Sequence, residues 1–376
     1  MPTATLPVLN SASTAAPLAL TWRANPYLHL GPDRIYNPHT DRTLLATEPG
    51  FNELVTVFAS GETLPGLEGA YLALAEQGWL VDSRTDPDRA FYLKYVSLEA
   101  HTVCNQACYF CPVSLAPREP YFMPMELYQR IVSEVAELRQ PVEALFMISY
   151  NEPTADPRFL EQVQIIRAAG LPPATLTNGT GLTPKRVDAL VEMGGLRFLS
   201  INISTLDRDR YRQDRGHDHL QQVLRNLDYA KDRAVAQDMD IVVLGTGNDN
   251  HQEDFRQITA RFAGSRFNVK YFVVNDRAGY LQVGLSGRER RGRLCGCNHM
   301  GSRPIQHLHI TPKAECILCC QDYSETMVVG DLNRNSLREV LTGDDFARAR
   351  RQVYGFEPVP DNYICHNCEF ALKQAR

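Results

Sequence analysis

Three features of the chain predict an α/β fold built on a parallel sheet. Six strand-like runs between residues 91 and 274 alternate with five helical ones. Short polar motifs close those strands, where parallel α/β folds collect their ligands. The ten cysteines fall in two stretches, 104–111 and 295–368, and so divide the chain into three segments.

The composition sets the bounds. A chain of 376 residues can hold two or three domains. It is 44% apolar and 22% charged, as soluble globular proteins are. A net charge of −5 gives no global basic field, so neither nucleic acid nor a membrane is expected as a partner. No run approaches the roughly 20 apolar residues of a membrane span. The opening "MPTATLPVLNSASTAAPLALTW" lacks a basic start and a hydrophobic stretch, so it reads as a loose terminus and the chain as cytoplasmic. Cysteines in such a compartment point to metal or redox chemistry rather than to disulfides.

The first segment, residues 1–88, holds a hairpin in "RIYNPHTDRTLLA", helices in "GFNELVTVFASG" and "LEGAYLALAEQG", and a closing strand "WLV". Together these predict a small winged-helix-like unit, followed by the polar linker "SRTDPDR" at 83–89. The middle segment, 89–285, begins with strand "FYLKYVSLEA", which runs straight into "HTVCNQACYFCP". In helix "MPMELYQRIVSEVAELR", Leu127, Ile131, Val135 and Leu138 share one predicted face. Strands "ALFMIS", "ATLTNG", "LRFLSINIS", "DIVVLG" and "NVKYFVV" follow, with helices between them. Such alternation implies right-handed crossovers and a parallel sheet. "NEP", "TNG", "NIST" and "GTGN" all fall at strand ends. The last segment, 286–376, opens with the basic run "SGRERRGR", expected to be a solvated connector.

Cys104, Cys108 and Cys111 stand three and then two residues apart. Structural zinc takes four ligands, and this cluster offers three. A [4Fe–4S] cube held by three thiolates keeps one iron open for another ligand. This C-x3-C-x2-C spacing after a first strand resembles the radical S-adenosylmethionine (SAM) superfamily over roughly residues 90 to 285. The resemblance implies a partial (β/α)6 TIM-like barrel. It also implies that the open iron binds SAM and that one electron cleaves it to a 5′-deoxyadenosyl radical. On the same basis Phe110 lies against the adenine, and Glu152, with Asn151, contacts the SAM amino group. Tyr150 and Asn151 replace two glycines the family carries there, so the backbone approach is expected to differ. Asn178 at the third strand end, Asn202 and Ser204 near the ribose, and Arg215 at the SAM carboxylate complete the implied cofactor site. Capping or turn chemistry is the other reading of each polar residue.

The C-terminal cysteines, with "LHITPKAECILCCQDYSETMVVGDLNRNSLREVLTG" and "CHNC", resemble a SPASM domain, an auxiliary iron–sulfur module. The implied ligands of one auxiliary [4Fe–4S] cluster are Cys297, Cys319, Cys365 and Cys368. Cys295 stands as the alternative to Cys297 and Cys320 to Cys319, while Cys316 has no assigned role. Ala314 occupies the place of the family's turn glycine. A zinc ribbon is the other reading of the region.

The first segment resembles a recognition element that binds the leader of a ribosomally made peptide by adding a strand to a sheet edge. The expected substrate is therefore a precursor peptide, to be crosslinked, epimerised or cleaved, with a flavodoxin- or ferredoxin-type electron donor. Oxidation or epimerisation of a sugar or aminocyclitol is the alternative, and an iron–sulfur scaffold without SAM turnover is a third. Tyr150, Asn275 and Arg277 are candidate substrate contacts.

Overall fold

The computed structural model describes residues 20–283 and 292–374. The loose start and most of the basic connector therefore lie outside the described residues. The chain divides into two compact units, the first comprising the chain up to Ile35 with Thr43–Pro87, the second Tyr36–Arg42 with Asp88 onward.

The N-terminal segment carries β1 (Trp22–Ala24), β2 (His29–Leu30), β3 (Arg34–Asn37), β4 (Arg42–Leu45), α1 (Phe51–Ser60), α2 (Ala70–Glu76) and β5 (Leu80–Asp82), of which the end of β3 and the first residue of β4 fall in the second unit. β2, β3 and β4 form one small sheet, and β5 pairs antiparallel with β1. The hairpin, both helices and the last strand stand where the sequence predicted them. Its core is Leu28, Ile35, Leu44, Phe51, Leu54, Val57, Leu74, Trp79 and Leu80. α1 presents Phe51, Leu54 and Val57 to it at helical spacing.

The second unit runs β6 (Tyr95–Leu98), α3 (Met125–Glu137), β7 (Ala144–Phe146), α4 (Phe159–Ala168), β8 (Pro173–Thr177), α5 (Pro184–Glu192), β9 (Leu196–Asn202), α6 (Arg208–Arg215), α7 (Leu220–Ala230), β10 (Ala236–Gly245), α8 (Asp249–Arg261) and β11 (Phe267–Val273). β6 through β11 are joined in order, every pair parallel, with helices in every crossover. This is the sheet of a partial TIM-like barrel. On α3 the buried face is Tyr128, Ile131, Val132 and Val135, so it is turned slightly from the predicted one, and Leu127 is only half-buried.

The C-terminal segment adds β12 (Arg293–Cys297), α9 (Arg303–Gln306), β13 (His307–Ile310), β14 (Glu315–Ile317), β15 (Val328–Asp331), α10 (Leu337–Thr342), α11 (Asp344–Val353), α12 (Ile364–Asn367) and β16 (Ala371–Gln374). Its hairpin is not separate from the barrel sheet. β13 pairs parallel with β6, the strand that delivers the three cysteines, so the sheet runs β11-β10-β9-β8-β7-β6-β13-β14-β15. Ala314, in place of the expected turn glycine, takes a left-handed φ of 65° and donates its N–H to the Thr311 carbonyl at 2.9 Å. The turn thus keeps glycine-type geometry with an L-residue. No described helix is long and apolar enough to cross a membrane.

Candidate active site

The loop after β6 is fixed by its backbone. Ala107 N–H donates to the Arg215 carbonyl at 2.9 Å, and Tyr109 N–H to the Asp214 carbonyl at 3.1 Å. Both acceptors lie in the last turn of α6, whose free carbonyls need partners. Gly216 ends that helix at φ 71°, and a Cβ there would press on Ala107 at 3.0 Å. The three-cysteine loop therefore sits directly on the C-terminus of α6.

The three thiols influence one another electrostatically. Burial pushes Cys104 up to about 12, and the Gln106 backbone N–H opposes that rise. Burial also raises Cys111, against the Val113 N–H. N–H groups aimed at sulfur favour the thiolate, the form a metal requires. The loop thus fits a cluster: three sulfurs within electrostatic reach of one another, two of them already supplied with donors.

Arg215 binds much of the predicted cofactor set together. Its Nη2 donates to Asn202 Oδ1 at 2.7 Å, to the Asn202 carbonyl at 3.2 Å and to Ser204 Oγ at 2.8 Å. Its Nη1 lies 3.7 Å from the Cys108 sulfur, and its guanidinium lies 4.9 Å from the centre of the Phe110 ring. The side chain is only 2% exposed, and its Nε has no hydrogen-bond partner. Phe110, Asn202, Ser204 and Arg215 thus form one constellation with Cys108. Beside it lies a cavity of about 570 Å³ lined by Tyr109, Ser204 and Asp214, and by Gly245, Thr246 and Asn248 of the "GTGN" stretch.

Glu152 is buried among four donors. Oε1 accepts from Thr154 N–H at 3.0 Å, from the Thr154 hydroxyl and from the Thr177 hydroxyl; Oε2 accepts from Asn178 N–H at 2.7 Å. Burial raises its carboxyl above the usual range, and these bonds oppose the rise. One acceptor position on Oε2 is left for a ligand. Asn178 bridges onward, its Nδ2 donating to Asn105 Oδ1 at 2.7 Å in the cysteine loop.

Asn151 and Tyr150 turn elsewhere. Asn151 Nδ2 lies 3.2 Å from His101 Nε2, and its Oδ1 accepts from Ser149 N–H. Tyr150 donates its hydroxyl to the Cys320 carbonyl and sets its ring 4.8 Å from Tyr323, edge to face. Arg277 lies 5.6 Å from the centre of the Tyr150 ring, and Asn275 donates to Glu369. Tyr150 and Asn275 thus reach the C-terminal segment, whereas Asn151 stays among barrel residues and the charge of Arg277 reaches Cys111.

The C-terminal thiols gather less evenly. Cys368 acts on Cys365, and Cys297 acts on both. The N–H groups of His299 and Arg303 are directed at the Cys297 sulfur, and those of Phe370 and Ala371 at Cys368. Gln321 N–H lies 3.3 Å from the Cys319 sulfur. Cys319 and Cys320 share a hydrogen bond that holds Cys320 down and pushes Cys319 up. Cys295 falls at the register shift between β12 and β16, where the strand carries an extra residue. Cys316 is fully buried in β14, and the charges that reach it are those of Asp331 and Glu134. Among the described residues no group of three His, Cys, Asp or Glu is gathered as a metal ion needs. The thiolates of a four-iron cube stand on separate corners and need no such convergence.

Sequence reasoning missed Gln106, which donates to the Tyr211 hydroxyl at 2.9 Å, and Tyr109 on the cavity wall. It also missed Arg118, which pairs with buried Glu99 at 3.0 Å. The motif itself was the available signal for the first two, since they fill the gaps between its cysteines.

Comparison with known proteins identifies two domains in the chain. Residues 98–258 match the Radical SAM superfamily, and residues 297–369 match SPASM, an iron–sulfur cluster-binding domain. A tungsten-containing aldehyde ferredoxin oxidoreductase cofactor-modifying protein of Pyrococcus furiosus is 30% identical over 30% of this chain and 31% of its own. A GTP 3′,8-cyclase of Chlorobaculum tepidum is 26% identical over 36% of this chain and 40% of its own. The match thus spans well under half of either curated relative. Among solved structures, Streptococcus suis SuiB bound to precursor peptide SuiA has a TM-score of 0.56 at 12% identity, covering 94% of this chain and 92% of that one. The structure of anSMEcpe with bound AdoMet has a TM-score of 0.50 at 15% identity, covering 74% and 86%. At such identities the likeness is one of fold. The chain thus carries a radical SAM domain and, C-terminal to it, a SPASM domain, and those domains imply S-adenosylmethionine, a [4Fe–4S] cluster and auxiliary iron–sulfur as its cofactors.

Proposed function

We propose that this protein is a peptide-modifying radical SAM/SPASM enzyme. Residues 1–88 take the leader of a ribosomally made precursor, 89–285 carry the chemistry and 286–376 hold one auxiliary cluster. The observation that carries the reading is the reach of the likeness to SuiB. It covers 94% of the chain, well beyond the two family domains, and so takes in the N-terminal unit as well. SuiB was solved with its precursor peptide.

In this reading Cys104, Cys108 and Cys111 hold the SAM-binding cluster, and Cys297, Cys319, Cys365 and Cys368 hold the auxiliary one. The bound cluster and SAM supply one-electron sulfonium cleavage and hydrogen-atom abstraction. The chain's own residues do the positioning. Arg215 is the SAM-carboxylate partner, already oriented by Asn202 and Ser204. Phe110 offers a ring face to the adenine, and the free position on Glu152 Oε2 receives the SAM amino group. Asn178 ties the floor of that site to the cysteine loop. A flavodoxin- or ferredoxin-type protein delivers the electron.

The test is to incubate anaerobically reconstituted enzyme, dithionite and SAM with a short peptide encoded beside its gene. A mass change in the core of that peptide, abolished by deleting its leader, is the expected result. SAM cleavage that modifies a sugar or aminocyclitol and leaves the peptide untouched overturns the reading.

A further inference from the structure

Just after β11 the chain makes a turn in which two consecutive L-residues are strained. Arg277 and Ala278 both take left-handed backbone, at φ 53° and 55°. Such residues persist only where their surroundings impose them, and they collect at functional sites. This turn is held from several sides. Asn275 Oδ1 accepts from Arg277 N–H at 2.8 Å, while its Nδ2 donates to Glu369 in the C-terminal segment. The Arg277 carbonyl accepts from Tyr280 N–H at 3.1 Å, and the Asp276 carbonyl from Leu281 N–H at 2.9 Å. The turn carries the half-buried Arg277 guanidinium to 5.6 Å from the centre of the Tyr150 ring, in the loop after β7. β11 and β7 stand four strands apart in the sheet. The side chain therefore reaches across the carboxyl end of the barrel, where such folds take their ligands.

That guanidinium is left without a polar partner. Its Nε is buried and bonds nothing, and neither terminal nitrogen is hydrogen-bonded or ion-paired among the described residues. Arg118, 6.0 Å from the same ring, differs: buried Glu99 meets its charge at 3.0 Å. A guanidinium drawn out of water needs hydrogen bonds to offset its lost hydration, and its planar fork matches a carboxylate. An aromatic wall stands beside it. Tyr323 lies 4.8 Å from Tyr150 and 5.4 Å from Tyr280, ring to ring, and Tyr280 is 37% exposed. We propose that Arg277 anchors the substrate, receiving a carboxylate of the precursor peptide against the wall of Tyr150, Tyr323 and Tyr280. The inference rests on the peptide reading above. A ribosomally made peptide carries this group on Asp and Glu side chains and at its C-terminus. Arg277 is thus a binding residue that selects the peptide and sets where its core lies.

The test follows peptide modification by the reconstituted full chain, with dithionite and SAM, in three forms: parent, Arg277→Gln and Arg277→Lys. The probe is the short peptide encoded beside the gene, unaltered, with one core Asp→Asn or Glu→Gln at a time, or with a C-terminal amide. Iron content and the KM for SAM are measured on the same samples. Arg277→Gln is expected to raise the peptide KM at least tenfold, roughly 1.4 kcal/mol, with iron and the SAM KM unchanged. Arg277→Lys keeps the charge but loses the fork, and is expected to fall between. One amide form of the peptide is expected to reproduce the loss on the parent and to add nothing on Arg277→Gln. If a side-chain amide does so, an Asp or Glu fills the site; if the C-terminal amide does so, the terminus fills it. Either supports the proposal. An unchanged peptide KM in Arg277→Gln overturns it, as do losses that multiply for every amide form. A rise in the SAM KM in place of the peptide KM also overturns it, as does loss of iron from both variants. A parent that cleaves SAM and leaves the peptide unmodified overturns the peptide reading, and this inference with it, before any variant is compared.

Discussion

Arg215→Met removes the guanidinium that joins the cysteine loop and β9 at the proposed SAM site. Three hydrogen bonds go, at 2.7, 3.2 and 2.8 Å, together with the ring contacts to Phe110 and Tyr211. Bonds to a charged group contribute about 1.5–3 kcal/mol each, and are not additive when they share one donor. All three are made by a single Nη2, so about 3 kcal/mol of local stability is the expected loss, moderated by the similar length of methionine. The missing Arg–carboxylate contact costs SAM binding about 1.4–3 kcal/mol, roughly a 10- to 100-fold rise in its KM. Arg215→Lys keeps charge but loses the fork and falls between the two. The assay is 5′-deoxyadenosine formation against SAM concentration, with iron content measured on the same samples. A kcat loss with unchanged KM and full iron would refute the SAM-carboxylate assignment, leaving Arg215 as a brace for the loop.

Three other outcomes follow from the geometry. Glu152→Gln turns an amide N–H toward groups that donate, so it destabilises the fold by about 2–4 kcal/mol in urea melts with iron removed. A change under about 0.5 kcal/mol would contradict that hydrogen-bond arrangement. Acid lowers stability through His299, whose folded value is held down to about 3, and through His307 and His309, both also held down by burial. Their unfolded value is near 6.5, so their contribution is complete above that pH and is lost as pH falls toward the folded values, at about 1.4 kcal/mol per pH unit for each histidine. Urea melts of apoprotein between pH 7 and 5 should show the slope, and His309→Gln should reduce it. Cys316→Ala leaves iron content unchanged and costs about 1 kcal/mol of stability for the lost buried sulfur; loss of auxiliary iron would make Cys316 a ligand.

The parallel sheet was legible because its strands are apolar runs bounded by turns and separated by helical periodicity. α6 was not. Its sequence "RDRYRQDR" buries only Tyr211 and Arg215, so no apolar stripe announces it. Its start depends on a cap, Asp207 Oδ1 accepting from Arg210 N–H at 2.9 Å, and on Arg210 pairing with Asp254 of α8. That helix end seats the cysteine loop, so its absence from the sequence reading hid why the loop is rigid. The docking of β13 on β6 was equally hidden, because pairing across more than 200 residues leaves no local pattern. Among the candidate site residues, Phe110, Asn202, Ser204 and Arg215 converge. Tyr150 and Asn151 point away because the larger side chains in place of the family's glycines find their own partners at Cys320 and His101.

The central claim is that Cys104, Cys108 and Cys111 hold a cluster that cleaves SAM while a second cluster stands in the C-terminal domain. The most direct test counts iron and 5′-deoxyadenosine in the reconstituted, dithionite-reduced protein and in its Cys104/Cys108/Cys111→Ala variant. The account predicts about eight irons and 5′-deoxyadenosine in the first, and about four irons and none in the second. 5′-Deoxyadenosine from the variant, or an unchanged iron count, would contradict it.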